Sequence, residues 1–252
     1  MIGIDNILGL AVVLIGAGLM ILFSLLKRSR TVLRPIEAFQ QLRRAIGLAV
    51  EEGKRLHVSL GRDSIIGPAT APGLIGLSTL ERVAQLSRVS DRPPVATSGE
   101  GTLALLSQDT LRAVYRQGNA MDQYDPTRGR LAGVTPFSYV AGTLPVMRDE
   151  QVSANLLVGS FGPEVALLTE ASDQQGTFTL AASQSLPAQA VMFATAREAL
   201  IGEELFAIPA YLQAGDMYVS SLRAQDVLRW ILIVVIIAGA VFKLLQALIG
   251  VA

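Results

Sequence analysis

The sequence predicts an α/β domain of the Rossmann-like type, with a mostly parallel sheet covered by helices, flanked by N- and C-terminal transmembrane helices. Short apolar strands alternate with helical segments through the middle of the chain, which is typical of doubly wound domains. The strands are continuous apolar runs, as expected when both faces of a parallel sheet are buried. Apolar runs long enough to cross a bilayer, which takes about 20 residues, lie near both ends of the 252-residue chain.

The composition excludes several classes of protein. The chain contains no cysteine, and its 21 basic residues balance its 21 acidic residues. Hydrophobic residues make up 51% and charged residues only 17%, below the ~25% charged residues of soluble domains. A disordered chain, a collagen, a disulfide-stapled module and a basic nucleic-acid binder are therefore excluded. The high share of hydrophobic residues indicates a membrane protein. The absence of a net positive charge indicates that it does not bind nucleic acid.

The two terminal apolar runs predict membrane-spanning helices. The first is expected over residues 7–26, and its basic cluster at 27–34 follows the run rather than precedes it. A cleaved signal peptide has the opposite arrangement, so this segment is expected to remain as an anchor. The second helix is expected over residues 228–249, with Trp230 in the near interface and Lys243 reaching the far headgroups.

Basic residues next to these runs predict the orientation of the chain. Four lie at 27–34, and Arg223 and Arg229 flank the second run on the same side. Under the positive-inside rule they place the central domain in the cytoplasm and both termini outside. The expected location is the cell membrane, as a multi-pass protein with the lipid bilayer as a partner.

A juxtamembrane amphipathic helix is predicted within residues 27–54. Pro35 suits its first turn, and Gly53 can end it. Its apolar stripe consists of Ile36, Phe39, Leu42, Ile46 and Val50. Such a stripe either packs on its own domain or forms a stalk or self-association surface, and we expect the first.

The central α/β domain is predicted over residues 55–222. Most of its strands precede a turn rich in Ser, Thr or Gly and then a helix. Strands are expected at 56–60, 94–97, 131–135, 155–158, 178–182 and 218–220. Val95 lies inside the second strand and is expected in the core. The polar segment 121–130 is a candidate hinge, and residues 198–212 are expected to be helical.

The residue types of common catalytic sites are largely missing. The chain has no GxxxxGK[ST] loop and no HExxH motif, and His57 is its only histidine. Ordinary zinc sites are thereby almost excluded, and neither a metal nor a resident cofactor is expected. His57 and Ser59 point to the same face of a strand, where a hydrogen-bonded structural histidine is expected rather than a catalytic one. No catalytic residue is identified, and an enzyme is not the favoured interpretation.

One glycine motif resembles a phosphate-binding turn. Residues 99–104 (GEGTLA) fit GxGxxA, follow an apolar strand and open a helix, as in dinucleotide sites. Glu100, however, would place a negative charge beside the phosphates. A tight turn in which Ser98 or Thr102 caps the helix is the favoured interpretation, and a dinucleotide or another small anion is the alternative.

The turns after the strands together form a candidate binding crevice. Carboxyl ends of parallel strands meet at one edge of the sheet, so these turns are expected to converge. The candidate ligand-binding residues are Ser59, Gly61, Arg62, Ser98, Gly99, Gly101, Thr102, Ser160 and Gly162. They would offer backbone N–H groups, hydroxyls and one cation to a small anionic ligand. Each also fits a simple helix cap, and an empty crevice is the favoured expectation.

Several segments of the chain carry a family resemblance. The two end anchors, with EEGKRLHVSLG, DRPPVATSGEGTLALLSQDTLR, SFGPEVALLTEA and GEELF, resemble a bacterial membrane-protein family known only as a domain of unknown function. The resemblance covers nearly the whole chain and implies that anchors and domain form one unit. It implies no activity, ligand or catalytic residue.

Two functional hypotheses follow. In the first, the protein is a non-enzymatic, membrane-anchored scaffold or assembly module that forms a homo-oligomer or joins a membrane complex. In the second, it is a membrane-tethered sensor or enzyme that binds a nucleotide or another small anion. Missing catalytic groups favour the first, and the Ser- and Gly-rich turns motivate the second.

Overall fold

The computed structural model describes residues 4–25, 33–62, 64, 65, 67 and 70–249. These residues fall into two compact units. One consists of the two terminal segments, Met1–Val32 and Gly215–Ala252, and the other is the α/β domain, Leu33–Ala214.

The terminal unit contains two long helices, α1 (Ile4–Leu25) and α9 (Asp216–Ile249). They pack together, because a Cβ atom at Gly16 of α1 would lie 3.7 Å from Leu228 Cδ1 of α9. Within α9, the segment Asp216–Gln246 is long and apolar enough to cross a membrane. This supports the predicted C-terminal span over 228–249.

The N-terminal span is not supported in the same way. The apolar stretch Gly9–Leu25 of α1 has 17 residues, fewer than the ~20 that usually cross the hydrocarbon core. Residues 26–32, which include most of the predicted basic cluster, lie outside the described residues. Among the residues that the structure does describe, one helix qualifies as a membrane span by length and composition.

The central domain is built on a six-stranded parallel sheet. Its strands are β1 (Arg55–Gly61), β2 (Val95–Ser98), β3 (Gly129–Leu131), β4 (Val152–Ser160), β5 (Phe178–Ser183) and β6 (Glu198–Leu200). Their spatial order is β3-β2-β1-β4-β5-β6, an order found in Rossmann folds. The prediction of a parallel sheet covered by helices is confirmed.

Among the described residues of this unit, seven helices cover the two faces of the sheet. They are α2 (Glu37–Glu51), α3 (Ala71–Leu86), α4 (Gly101–Gln117), α5 (Pro136–Asp149), α6 (Val165–Gln174), α7 (Leu186–Thr195) and α8 (Glu204–Tyr211). The helices α2, α3, α4 and α8 share one apolar core with one face. The helices α5, α6 and α7 cover the other face.

Alternate residues of β1 point to the two layers. Leu56, Val58 and Leu60 enter the first core, whereas His57 and Ser59 face the α5–α7 layer. Both faces of β1 are buried, and the face toward α5–α7 carries the polar side chains of His57 and Ser59, so this strand alternates apolar and polar residues within the core.

Two further predictions about the core agree with the structure. Val95 of β2 is fully buried. In α2, the side chains of Phe39, Leu42 and Ile46 are also buried in the core of the same domain. The helix α2, which the sequence predicts to be juxtamembrane, therefore packs on its own domain, as expected.

Three predicted elements differ from the structure. The strand expected at 218–220 is wrong, because these residues lie within the continuous helix α9. Residues 198–200 form an edge strand beside β5 before α8 begins, so a helix over 198–212 is too long. The strand expected at 131–135 lies earlier, at Gly129–Leu131. β3 and β6 adopt strand conformation because they pair with neighbouring strands. The sequence of a three-residue segment does not reveal that pairing.

The polar segment 121–130 is ordered by short elements. Two 3-10 helices, Met121–Gln123 and Pro126–Arg128, lead directly into β3. Asp125 caps the second of them by accepting a hydrogen bond from the Thr127 N–H at 2.9 Å.

The two ends of the domain are tied together. The Tyr211 hydroxyl donates a 2.7 Å hydrogen bond to the Arg34 carbonyl oxygen. The Tyr211 ring stacks on Phe39 with a centroid distance of 4.3 Å. Both chain ends of the domain therefore leave from the side of the sheet covered by α2 and α8.

Candidate functional site

The predicted turns do converge at the carboxyl edge of the sheet. The Gly99 N–H donates a 2.8 Å hydrogen bond to the Gly61 carbonyl oxygen, which joins the turn after β2 to β1. The Arg62 N–H donates a 3.0 Å bond to the Ser160 carbonyl oxygen, which joins the turn after β1 to β4. Three turns that are far apart in sequence thus share one crevice.

Gly61 is the glycine that this close approach requires. Its φ angle is +72°, in the left-handed region that favours glycine. A Cβ atom there would also overlap the backbone of Ser160. Two requirements, one conformational and one steric, therefore exclude a side chain at this position.

An ion pair of the chain itself lies within the crevice. Arg62 Nη2 lies 2.9 Å from Glu164 Oε1, and the same carboxylate oxygen accepts a 3.1 Å hydrogen bond from the Gly162 N–H. The aliphatic part of Arg62 packs against Gly99, where a Cβ atom would overlap Arg62 Cγ. The cation and the N–H group that were expected to meet a ligand are thus engaged internally.

A second carboxylate caps the helix that begins at the glycine motif. Glu100 Oε2 accepts a 2.9 Å hydrogen bond from the Leu103 N–H, and Glu100 Oε1 accepts a 3.0 Å bond from the Thr102 hydroxyl. Burial opposes ionisation of Glu100, but hydrogen bonds from Thr102 and Leu103 outweigh it and lower its pKa below the usual value. The prediction of a capping turn is supported, although Glu100 is the cap rather than Ser98 or Thr102.

The predicted site residues differ in their exposure to solvent. The Ser59 hydroxyl is fully buried beneath the crevice, 2.5 Å from Tyr139 Oη. Ser98 is also buried, and its hydroxyl donates to the Glu100 carbonyl oxygen at 3.2 Å. Gly101 faces open space. The structure thus brings the predicted residues together, and their role in ligand binding stays a prediction.

A buried polar network lies directly below this crevice. His57 Nδ1 is 2.7 Å from Asn155 Oδ1, and His57 Nε2 is 2.9 Å from Thr97 Oγ1. The Thr97 hydroxyl lies 3.3 Å from Tyr139 Oη, which also contacts Ser59. The network therefore links β1, β2, β4 and α5 within the core.

The environment of His57 keeps its imidazole neutral. Burial lowers its pKa to about 4, the hydrogen bond with Asn155 partly opposes this effect, and the charge of Arg130 lowers it further. Because an amide oxygen only accepts, Nδ1 carries the proton and Nε2 accepts from Thr97. Both ring nitrogens are engaged away from Ser59, so the arrangement is not that of a serine nucleophile and its base.

Sequence reasoning missed three partners in this network, Thr97, Tyr139 and Asn155. Asn155 gives the clearest sign of this network in the sequence, because a polar amide inside an apolar strand needs a buried hydrogen-bond partner. Its Nδ2 donates a 2.9 Å hydrogen bond to the Ser172 hydroxyl of α6. The distances in sequence are too large for any local pattern to reveal these contacts.

An arginine cluster lies where β1 and β3 begin. Arg55, Arg128 and Arg130 all form ion pairs with Glu150 at the end of α5. Burial opposes ionisation of Glu150, but its hydrogen bond with Arg130 and the three positive charges lower its pKa below the usual value. This cluster joins the start of two strands to the opposite helix layer, which is a structural role.

A groove on the surface of the domain lies away from the crevice. It has a volume of about 540 Å³ and lies between α2 and the starts of β5 and β6. Leu48 and Phe178 line it together with Glu37, Arg44 and Arg197. Within the described part of the chain, no group of three or more His, Cys, Asp or Glu side chains could hold a metal ion.

Comparison with known proteins gives one match. A family described as a domain of unknown function, DUF6754, matches residues 4–251. No curated protein and no solved structure matches the chain. Since the matched region includes both long terminal helices and the whole α/β domain, the chain belongs to the DUF6754 family.

Proposed function

We propose that this protein is a membrane-anchored, non-enzymatic α/β module that holds together a membrane assembly. The observation that most supports this proposal is the internal pairing within the crevice. Arg62 and Glu164 pair across it, and Glu100 accepts a hydrogen bond from the Leu103 N–H in the first turn of α4. A site preorganised for an anion would instead leave these donors free.

The neutral, fully engaged His57 supports the same proposal. Its two ring nitrogens bind Asn155 and Thr97 in the core, so its hydrogen bonds stabilise the sheet. Buried networks in which each polar group has a partner specify one packing arrangement. A rigid domain of this kind suits an assembly role.

The proposal includes two membrane anchors and a defined orientation. The segment Asp216–Gln246 of α9 would be one span, and α1 (Ile4–Leu25) would be the second. The basic residues at 27–34, with Arg223 and Arg229, favour a cytoplasmic central domain and external termini.

The alternative is a membrane-tethered sensor or enzyme that binds a nucleotide or small anion. The strand order and the converging turns favour it, because ligands of such folds bind where the strand order reverses, here between β1 and β4. Binding would require the Arg62–Glu164 pair to open. The candidate contacts would then be the predicted turn residues around Gly61, Gly101 and Gly162.

Ligand titration of the full-length protein in detergent separates the two functions. The thermal unfolding midpoint would be measured with ATP, GTP, NAD and inorganic phosphate, for the wild type and for Arg62→Ala. We expect no ligand to stabilise either protein. A saturable stabilisation of the wild type that Arg62→Ala abolishes would support the sensor or enzyme instead.

A further inference from the structure

The arginine cluster where β1 and β3 begin carries an excess of positive charge. Its members are Arg55, Arg128 and Arg130, with Arg92 beside them. Among the described residues, the carboxylates that pair with this cluster are those of Glu150 and Asp125. Four positive charges therefore share two negative ones. Burial and the charge of Arg128 lower the pKa of Arg55 more than Glu150 raises it.

Both carboxylates are fully engaged with donors of the chain. Glu150 Oε1 accepts a hydrogen bond from Arg130 Nη2. Glu150 Oε2 lies 3.0 Å from Arg128 Nη1 and 3.2 Å from Arg55 Nε. Asp125 Oδ2 lies 3.2 Å from Arg128 Nε, and the other oxygen of this carboxylate caps the short helix that follows. Each carboxylate oxygen therefore already faces at least one donor.

A buried tyrosine hydroxyl without a partner lies beside the cluster. Tyr115 of α4 is only 2% exposed, and its Oη has no hydrogen-bond partner among the described residues. Burial raises the pKa of Tyr115 to about 12, and the charges of Arg55 and Arg128 oppose this rise, so the hydroxyl lies within reach of both cations. A buried hydroxyl that lacks a partner costs free energy, and a bound water or ion is a common explanation.

Two N–H groups of the cluster also lack a hydrogen bond. Arg55 Nε and Arg128 Nε are both buried, and neither makes a hydrogen bond with a described residue. Each lies 3.2 Å from a carboxylate oxygen, but without the alignment that a hydrogen bond requires. A guanidinium group only donates, and a tyrosine hydroxyl has one proton to donate. Three buried donor groups thus lack an acceptor in a region of excess positive charge.

We propose that the arginine cluster binds a small inorganic anion of the size of chloride, which accepts a hydrogen bond from the Tyr115 hydroxyl and faces the guanidinium groups of Arg55 and Arg128. Such an anion supplies what the cluster lacks, because it only accepts hydrogen bonds and brings negative charge. A water molecule would bring no charge, and its own protons would compete for carboxylate oxygens that are already engaged. The inference goes beyond the proposed assembly function and does not depend on it.

The burial of the donors selects a small ion. The Tyr115 hydroxyl and both Nε atoms are buried, so a phosphate or a nucleotide would have to displace side chains that a monatomic anion leaves in place. The side chains of Arg130 and Glu150 keep 32% and 18% of their surface exposed, so an ion can enter from this edge of the cluster. The site lies where the strands begin, whereas the crevice lies where they end, so the two sites are separate.

Thermal unfolding of the full-length protein in detergent tests the proposal. Sodium gluconate would be replaced stepwise by sodium chloride at constant ionic strength, so that the screening of the arginines stays the same while the small anion is added. Gluconate is too large to reach the buried donors. We expect the unfolding midpoint to rise with chloride and then to saturate, as it does for a ligand that binds only the folded state. A midpoint that does not depend on the anion would overturn the proposal.

Two tyrosine variants locate the site. Tyr115→Phe removes the proposed donor and should raise the apparent Kd for chloride by about tenfold or more, since a hydrogen bond to a charged group is lost. In gluconate alone this variant should be at least as stable as the wild type, because the hydroxyl has no partner among the described residues. Tyr139→Phe is the matched control, since its buried hydroxyl contacts Ser59 and Thr97 instead. It should lower stability and leave the Kd for chloride unchanged.

Removal of a positive charge provides the second test of the site. Arg128→Gln should weaken the stabilisation by chloride, because it removes one of the two cations that face the anion. Arg112→Gln is its control, since it removes an exposed arginine from α4, the helix that also carries Tyr115. This control should respond to chloride as the wild type does. A chloride effect that survives unchanged in both Tyr115→Phe and Arg128→Gln would place the anion elsewhere and overturn the proposal.

Discussion

Arg62 and Glu164 form an ion pair across the crevice between β1 and β4, with 2.9 Å between Arg62 Nη2 and Glu164 Oε1. The two residues are 102 positions apart in sequence. They meet at the point where the strand order reverses, which is where related folds bind their ligands. The pair therefore places a carboxylate of the chain and its counter-ion within this crevice.

Breaking this pair should destabilise the domain. In Arg62→Ala, the mostly buried Glu164 loses its cation and keeps only the hydrogen bond from the Gly162 N–H. We expect a loss of about 1–3 kcal/mol in the free energy of unfolding. Chemical unfolding of the full-length protein, followed by circular dichroism, measures it.

A double-mutant cycle provides the control for that prediction. Arg62→Ala combined with Glu164→Ala should cost less than the sum of the two single variants, because each single variant already breaks the pair. Additive effects would mean that Arg62 and Glu164 stabilise the domain independently.

Two buried tyrosines should respond differently to loss of their hydroxyl groups. Tyr139 Oη contacts Ser59 and Thr97, so Tyr139→Phe should cost about 1–2 kcal/mol of unfolding free energy. Tyr115 Oη is buried without a hydrogen-bond partner among the described residues, so Tyr115→Phe should be neutral or stabilising. Equal losses in the two variants, measured by thermal unfolding, would contradict the network around His57.

The stability of the domain should depend on the protonation of His57. Its pKa is lowered from 6.5 to about 4 by burial, so between these values the unfolded chain binds more protons than the folded one. Stability is therefore complete above pH 6.5 and falls as the pH drops toward 4, by up to about 3 kcal/mol. The melting temperature would be recorded across this range.

His57→Gln is the matched control, because it keeps a neutral hydrogen-bonding side chain and cannot take up a proton there. Carboxylates with lowered pKa, such as Glu150 and Glu100, affect both proteins at the acidic end. The difference between wild type and variant isolates His57. A variant with the same pH dependence between 6.5 and 4 as the wild type would refute the assignment of a neutral buried imidazole.

The orientation in the membrane is also open to a direct test. Gly3→Cys and Gln123→Cys can be labelled in intact cells with an impermeant maleimide, on a chain without other cysteines. The positive-inside rule predicts that Gly3→Cys labels and Gln123→Cys does not. The reverse pattern would place the central domain outside, and labelling at neither position would require both to be cytoplasmic.

The sheet was predictable because the apolar composition of its central strands identifies them in the sequence. In β4, Leu156 and Val158 enter one core and Leu157 enters the other, and burial between two helix layers explains such a continuous apolar run. The edge strands β3 and β6 have three residues each. Their strand conformation comes from pairing with β2 and β5, so local sequence places them only approximately.

The position of the crevice was predictable from the sequence, but the side chains that lie in it were not. Parallel topology dictates that the turns after β1, β2 and β4 converge. Whether a ligand or the chain itself fills them depends on Arg62 meeting Glu164, and no local pattern encodes a contact between such distant positions. Glu100 illustrates the same point, because its charge is unfavourable beside a phosphate and its role as the cap of α4 is the physical reason for its presence.

The native mass of the particle released from membranes by mild detergent tests the proposed assembly function. We predict a stoichiometric assembly that contains at least two copies of the 26.8 kDa chain, or this chain with a fixed membrane partner, and no bound nucleotide. Native mass spectrometry reads both subunit number and retained ligands in one experiment. A lone 26.8 kDa monomer carrying a nucleotide or another small anion would contradict the assembly function and favour the sensor or enzyme.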